Sequence, residues 1–397
     1  MRIRYFADIR FPLDRANGVQ TMETCHALAC RGHEVHLVVR PDSAVPPRDP
    51  WAYYGLAPVG ALTIERVRVP AALAARRAAY VAHSVWRSLG RSRADILLTR
   101  DLTIAGLLVR LPPAARAPVV YESHGFAPAV GEDLPLMLST ARALSPAKRR
   151  RLEARERLVW RRAGGYITIT SALARELEGR FGPRPRLAVV PDGARVPDVD
   201  GVGLRPTAAT SSPVVGYAGH LYPWKGPDVL IEAIGHLPGV HALIVGGLAG
   251  EPDLERVRAL AGRLAPGRVT FAGQVDPPRV AGLLRQADVL VLPNTPGRVS
   301  AAYTSPLKLF EYMASGRPMV ASDLPALREI LRPDGNAVLV EAGSAGALAA
   351  GLSRVLGDAA LASRLAAQAR EDVREWTWEK RAGRIEALLE AVTGRRA

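Results

Sequence analysis

Two α/β domains of nearly equal size, each a doubly wound parallel sheet and facing one another across a cleft, are the fold class this sequence predicts. Three observations predict it. At 397 residues the chain exceeds one ordinary domain. Short apolar runs alternate with helix-period stretches along both halves, at the strand–helix–strand spacing that calls for parallel pairing. Between the halves, from 191 to 213, periodicity gives way to Pro, Asp, Gly, Ser and Thr, the composition of a linker.

The first half opens with a strand at 2–7, a loop at 8–18 and a helix at 19–31, whose apolar positions include Val19, Met22, Ala27 and Cys30 and whose stop is Gly32. Strands follow at 35–39 and 62–69, then a helix at 71–89, a strand at 95–99, a helix at 102–110 and a strand at 119–122. Proline-dotted residues 124–145 interrupt the alternation and read as a functional loop or lid. A helix at 146–163, a strand at 166–170, a helix at 172–181 and a strand at 187–190 complete the half. The second half restarts with a strand at 214–217. Strands at 241–245, 269–272, 289–292 and 319–322 follow, with helical patterns between them, and a last helix spans 378–392. Each half is thus Rossmann-like, and ligands of such sheets sit outside the carboxyl ends of the strands.

Hydrophobic content of 48% and charged content of 23% suit a globular protein. No uncharged apolar run reaches about 18 residues, and the N-terminus, MRIRYFADIRF, lacks the apolar core of a signal peptide, so a cytoplasmic chain is expected. Two cysteines, Cys25 and Cys30, are too few for a disulfide framework. Five residues apart, they point about 140° away from each other on a helix, while His33 and His36 straddle a turn, so no metal site is expected. The formal charge of +15 is uneven: residues 1–200 hold 31 Lys+Arg against 19 Asp+Glu, the remainder 22 against 19. A basic half is attracted to anionic membrane, nucleic acid or an acidic substrate, although an arginine-rich solvated surface has the same composition. No nucleic-acid motif appears, and no nucleic-acid partner is expected. The helix at 146–163 carries Lys148, Arg149, Arg150, Arg151, Arg155, Arg157, Arg161 and Arg162 beside Leu152, Leu158, Val159 and Trp160. It reads either as a membrane-surface helix or as one packed on its sheet with arginines turned to water.

The most informative stretch is VVGYAGHLYPWKG, 214–226. Its order is strand, glycine turn, cation, helix. That order suits a phosphate, because a side-chain-free turn admits oxygens to backbone N–H groups and the incoming helix N-terminus carries partial positive charge. Gly219 supplies the turn; His220 and Lys225 supply side-chain donors. Only four lysines occur, and Lys225 and Lys308 both fall in candidate motifs. In SPLKLFEYMASG, 305–316, Ser305 is expected as helix cap and Pro306 as the first helical residue, which leaves the N–H groups of Leu307 and Lys308 open and places Glu311 one turn inside to accept from ribose hydroxyls. In the first half, Gly18 ends the loop after the first strand and either admits a diphosphate or serves a tight turn. Glu122 and His124 close the fifth strand: the histidine either meets a sugar hydroxyl, oriented by the glutamate, or is tied to the loop backbone.

These motifs resemble the family 4 retaining glycosyltransferases: GYAGHLYPWKG with VLIEAI, then LIVGG, VTFAGQV, ADVLVLPN and LKLFEYMASGRPMVAS, preceded by GVQTMETCHALACRGHEV and VVPDG and followed by WTWEKRA. The resemblance implies the GT-B architecture, with an acceptor-side domain at 1–195, a linker at 196–212, a donor-side domain at 213–375 and a terminal segment at 376–397 returning to the first domain. It implies sugar transfer from a nucleotide diphosphate donor, with retention and without a metal or other cofactor. Lys225 matches the family's diphosphate lysine, while His220 stands where an arginine is expected. Glu311 matches the second of two glutamates, Tyr303 occupies the place of the first, and His124 matches the histidine near the donor sugar. The expected catalytic set is therefore His124, His220 and Lys225, and the donor-binding set Gly18, Gly219, Ser305, Leu307, Lys308 and Glu311. The expected acceptor is a hydroxyl compound, lipid-linked if the basic first half rests peripherally on the inner membrane face. The rival readings are a sugar-nucleotide epimerase or phosphorylase of the same fold, which would want further acid and base groups, and a non-catalytic basic module on a membrane surface. The glycine spacing of VGGLAG, and its place after a strand late in its domain, argue against a dinucleotide dehydrogenase.

Overall fold

Strands buried on both faces read as unbroken apolar runs, and those runs form the middle of two parallel sheets. The computed structural model of the chain describes residues 1–70, 72–90, 94–137, 142–196 and 212–394; most of the expected linker, 197–211, lies outside them, as do Ala71 of the expected second helix and 138–141 of the expected lid. The first sheet has seven strands, β1 (Arg2–Arg10), β2 (Glu34–Arg40), β3 (Leu62–Arg66), β4 (Ile96–Thr99), β5 (Val119–Ser123), β6 (Gly165–Thr168) and β7 (Leu187–Val189), in the order β3-β2-β1-β4-β5-β6-β7. The second has six, β8 (Val214–Ala218), β9 (His241–Val245), β10 (Val269–Gly273), β11 (Val289–Leu292), β12 (Met319–Ser322) and β13 (Val338–Val340), in the order β10-β9-β8-β11-β12-β13. All pairings between these strands are parallel. In each sheet the strand order reverses beside the first strand of its half, between β1 and β4 and between β8 and β11, and such a reversal opens a crevice at the carboxyl edge. β11 and β12 are buried throughout, whereas β10, at the sheet edge, alternates between half-buried and exposed.

The chain divides into two compact units. One comprises Met1–Gly131, Leu144–Asp192 and Trp378–Ala397, the other Glu132–Ala143 and Gly193–Thr377. In the first unit the terminal helix Trp378–Thr393 packs against the first helix, Ala16–Cys30. Arg31 and His33 hold Glu386 there, and Val392 lies so close to Gly164 and Gly165 that a Cβ at either would sit 3.1 or 2.9 Å from it. Because the first helix is covered on a second side, it buries Gln20, Thr21, Glu23 and Thr24 as well as its apolar positions.

Three expectations are corrected, and one of two open readings is met. The second sheet has a sixth strand, β13, only three residues long and therefore too short for its periodicity to register. Residues 127–137 of the expected lid form the helix Ala127–Met137; Pro128 falls in its first turn, where no N–H is needed, and Pro135 near its end. The first helix begins at Ala16, so Gly18 lies inside it rather than in the preceding loop. In the helix Pro146–Arg162, Trp160 is 3% exposed, set edge to face against Tyr166 and donating Nε1–H to Gly182 O at 3.0 Å. Its indole belongs to the core, and the basic residues this helix exposes are Lys148, Arg149, Arg150, Arg151, Arg157, Arg161 and Arg162. Among the described residues no single helix is long and apolar enough to cross a membrane.

Candidate active site

At the carboxyl edge of the second sheet, β8 runs into Gly219, whose φ of 131° is open to glycine and whose N–H bonds Val245 O at 2.8 Å. Tyr217 anchors the turn by donating its hydroxyl to His220 O at 2.7 Å. The His220 ring stacks on Tyr222, centroids 5.1 Å apart. A single 3-10 turn, Pro223–Lys225, then delivers the lysine, and Gly226 caps the helix Pro227–Gly235 in the left-handed region at φ 73°. No other residue fits there: a Cβ on Gly226 would lie 1.7 Å from Pro293 O. This contact clamps the loop after β8 to the end of β11, as do the bonds from Thr295 N and Oγ1 to Trp224 O, at 3.0 and 3.3 Å. Lys225 Nζ lies over the Trp224 and Tyr222 rings, 5.3 and 5.9 Å from their centroids, and burial pushes its pKa down to about 8.

The helix Leu307–Ala314 follows β11 and brings the second motif to this edge. Pro306 has a helical φ of −76°, but its ψ of 126° leaves it outside as the cap residue, so Ser305 stands one place further out than expected. The first intrahelical return is Leu309 N–H to Pro306 O, 2.8 Å; the N–H groups of Leu307 and Lys308 precede it and have no acceptor within the helix. Tyr312, fully buried, ties the helix to the glycine turn by accepting Ala218 N–H at 2.6 Å. Lys308 turns inward beneath that turn, its Nζ 4.0 Å from the Tyr217 ring centroid. Burial and the charge of Lys225 hold it well below the usual lysine range, against the opposing pull of Glu311. Lys225, Lys308 and Glu311 therefore share one electrostatic neighbourhood. Trp224 Nε1, Asn294 Oδ1 and Lys308 Nζ are buried here without a hydrogen-bond partner among the described residues. Native interiors rarely leave such atoms unpaired, so a group that pairs them is the natural occupant. Tyr303 is 3% exposed and closes the short helix Arg298–Ala302.

The first unit holds the other two predicted residues. Gly18 is buried, and its N–H already donates to Arg15 O at 2.7 Å, so it is not the open donor the sequence suggested. Its missing side chain is required by packing instead, since a Cβ would sit 2.4 Å from Leu13 O and 2.6 Å from Tyr54 Oη. His124 follows β5 and donates Nε2–H to Glu122 Oε1 at 2.8 Å. Glu122 Oε1 also accepts from Gln20 Nε2 at 2.6 Å and Arg381 Nη2 at 2.5 Å. Burial alone would raise the Glu122 carboxyl, but Arg381, His124 and Arg100 hold it far below the usual range. A permanently ionised carboxylate only accepts, which fixes the proton of His124 on Nε2 and leaves Nδ1 as an acceptor. Burial and Arg100 push the imidazole down to about 4, so it is neutral at pH 7. Arg381, 1% exposed, further donates to Thr24 Oγ1 at 3.0 Å and faces Asp192 at 3.7 Å. Sequence reading paired Glu122 with His124 but missed Arg381, 259 residues away, whose only signal was a basic residue in the last expected helix.

Residues 17–193 match the model of the glycosyl transferase 4-like domain, and residues 212–358 match that of the glycosyl transferases group 1. The chain belongs to the family 4 glycosyltransferases. Among this family's members, the phosphatidyl-myo-inositol mannosyltransferase of Mycobacterium leprae is 38% identical over 177 residues, 43% of this chain and 44% of that one. The D-inositol 3-phosphate glycosyltransferase of Nocardia farcinica is 30% identical over 292 residues, 70% of this chain and 61% of that one. The matched stretch thus spans about half the length of these curated relatives. Of solved structures, sucrose-phosphate synthase from Thermosynechococcus elongatus superimposes with a TM-score of 0.79 at 21% identity, covering 99% of both chains. HepE from Anabaena, in complex with UDP-glucose, gives 0.71 at 20% identity over 98% of this chain and 100% of that one. These likenesses show the GT-B glycosyltransferase fold.

Proposed function

We propose that this glycosyltransferase moves a sugar from a UDP- or GDP-sugar to a hydroxyl acceptor, with retention at the anomeric carbon and without a metal cofactor, in the synthesis of a cell-surface polysaccharide or glycolipid. One observation carries the reading: at the point where the second sheet reverses its strand order, a glycine turn, the Lys225 amine, an open helix N-terminus and the Glu311 carboxylate come together. Cleavage of the anomeric C–O bond leaves negative charge on the diphosphate, and preorganised donors lower that barrier, each typically worth about 3 kcal/mol. Lys225 and the N–H groups of Leu307 and Lys308 are those donors, His220 lines the same turn, Gly219 gives the phosphate room and Glu311 accepts from the ribose. His124, acceptor-only at Nδ1, is suited to a sugar hydroxyl. No motif supplies a carboxylate nucleophile, which favours a mechanism in which the leaving phosphate takes the acceptor's proton.

For the acceptor, the first unit offers a cavity of about 270 Å³ at the carboxyl ends of β1 and β2, lined by Arg10, Arg40 and Arg76 beside Asp42. Asp42 is held by Arg48, so the lining favours an anionic hydroxyl compound. The relatives named above act, by their names, on a phosphatidyl-inositol and an inositol phosphate, which supports the same class. The basic first half further supports peripheral residence on the inner membrane face.

Thermal unfolding with UDP-, GDP- and ADP-sugars tests the donor: a ligand at a hundred times its Kd stabilises by about 2.7 kcal/mol. Proton NMR of the sugar product then reads the anomeric outcome. No protection by any nucleotide sugar, or an inverted product, overturns the corresponding part of the reading.

A further inference from the structure

Lys308 is the second residue of its helix, a position from which lysines ordinarily reach water, yet it is only 7% exposed. Its amine meets one tyrosine face at 4.0 Å and has no hydrogen-bond acceptor among the described residues. A ring face does not replace the hydration an ammonium loses on burial, and a methionine would fill the same space without that loss. The amine is therefore costly in the free protein.

Its surroundings indicate what would offset the cost. The stem runs beneath the glycine turn, where a Cβ on Gly219 would be 4.0 Å from Lys308 Cδ, so the amine lies under the place where the turn admits phosphate oxygens. The charged and titratable groups facing it are Lys225 from the loop after β8, Glu311 from its own helix and Tyr217 from β8, with Tyr312 and Asp228 acting on Tyr217. Lys225 alone leaves a diphosphate, with at least two negative charges, short of cations. A phosphate oxygen beside the pair relieves their mutual repulsion and supplies the missing acceptor.

We propose that the side-chain amine of Lys308 is a second cation for the donor's diphosphate, reached from beneath the glycine turn, and that it takes up a proton from solvent as the donor binds. This rests on the nucleotide-sugar reading of the site. In the free protein burial and Lys225 disfavour the ammonium form of the amine; a phosphate beside it favours that form.

Titration calorimetry on the full chain tests the proposal, with UDP, GDP and ADP and with uridine, guanosine and adenosine, each in two pH 7.5 buffers of different ionisation enthalpy. The expected result is proton uptake by the wild type with a nucleoside diphosphate. Lys308→Met should bind that diphosphate about tenfold or more weakly and take up fewer protons, with affinity for the nucleoside unchanged. Its melting temperature should equal or exceed that of wild type. If the wild type binds none of the diphosphates, the nucleotide-sugar reading fails and takes this one with it. If the wild type binds but Lys308→Met matches it in affinity and proton uptake, this inference alone falls. It falls equally if Lys308→Met and Lys308→Gln both melt well below wild type, because the amine is then a packing element.

Discussion

Replacing Arg381 by methionine separates a structural cation from an incidental one. Arg381 and Glu122 are 1% and 0% exposed and lie 2.5 Å apart, and Arg381 also faces Asp192, 6% exposed and pushed by burial up to about 7. Removing one partner of a buried ion pair costs about 3–5 kcal/mol, chiefly because the remaining charge is stranded. Glu122 keeps Gln20 and His124 as donors, which places the expected loss near 3 kcal/mol. For a unit of this size that is a fall of roughly 6–12 °C in the transition of the first unit, read by calorimetry. The pH dependence carries a second signature. Without Arg381 the folded-state pKa of Glu122 rises and that of Asp192, already raised by burial, rises further, so the folded state binds more protons than wild type and the deficit shrinks as pH falls from 7 toward 5. Glu122→Gln in the Arg381→Met background should recover part of the loss. A deficit below about 1 kcal/mol at pH 7, or one independent of pH, would refute the reasoning, since the network would then be energetically idle.

Three further outcomes are expected. Raising pH from 7 to 9 should weaken UDP or GDP binding about tenfold, because Lys225, at about 8 in the free protein, must regain its proton to hold phosphate; Lys225→Met should remove its share of that dependence, and a flat wild-type profile by calorimetry would contradict its role. The sign for stability is opposite: unfolded lysine titrates near 10.5, so the free protein gains stability from Lys225 as pH rises from about 8 to about 10.5. Glu311→Ala should raise the donor Kd about 10- to 100-fold with little change in melting temperature, and equal affinity would end its ribose role. Gly226→Ala should cost about 2–4 kcal/mol in urea unfolding, because it combines left-handed backbone with a 1.7 Å approach to Pro293 O; a loss under 1 kcal/mol would show that the loop is free to move off β11.

Much of the fold was legible because parallel strands covered on both faces must be apolar without interruption: the runs expected at 214–217, 289–292 and 319–322 fall on β8, β11 and β12. Where prolines or brevity hid the pattern, in Ala127–Met137 and in β13, reading failed. The candidate site divides in the same way. Gly219, Lys225, Leu307 and Glu311 sit in local motifs, turn and helix start, whose chemistry is written within a dozen residues. Gly18 was misread because its requirement comes from Leu13 and Tyr54 folding onto it, not from its own turn.

By itself the sequence determined the strand and helix order, and with it the strand ends at which a phosphate would be received, since hydrophobic period and glycine placement act over a few neighbouring residues. Only the tertiary structure decided which side chains lose their water: that Lys308 turns inward under Tyr217, that Trp160 joins the core, and that Arg381 charges Glu122 and so sets the proton on His124. Burial and pairing are properties of what folds against a residue from far along the chain, and no local pattern carries them.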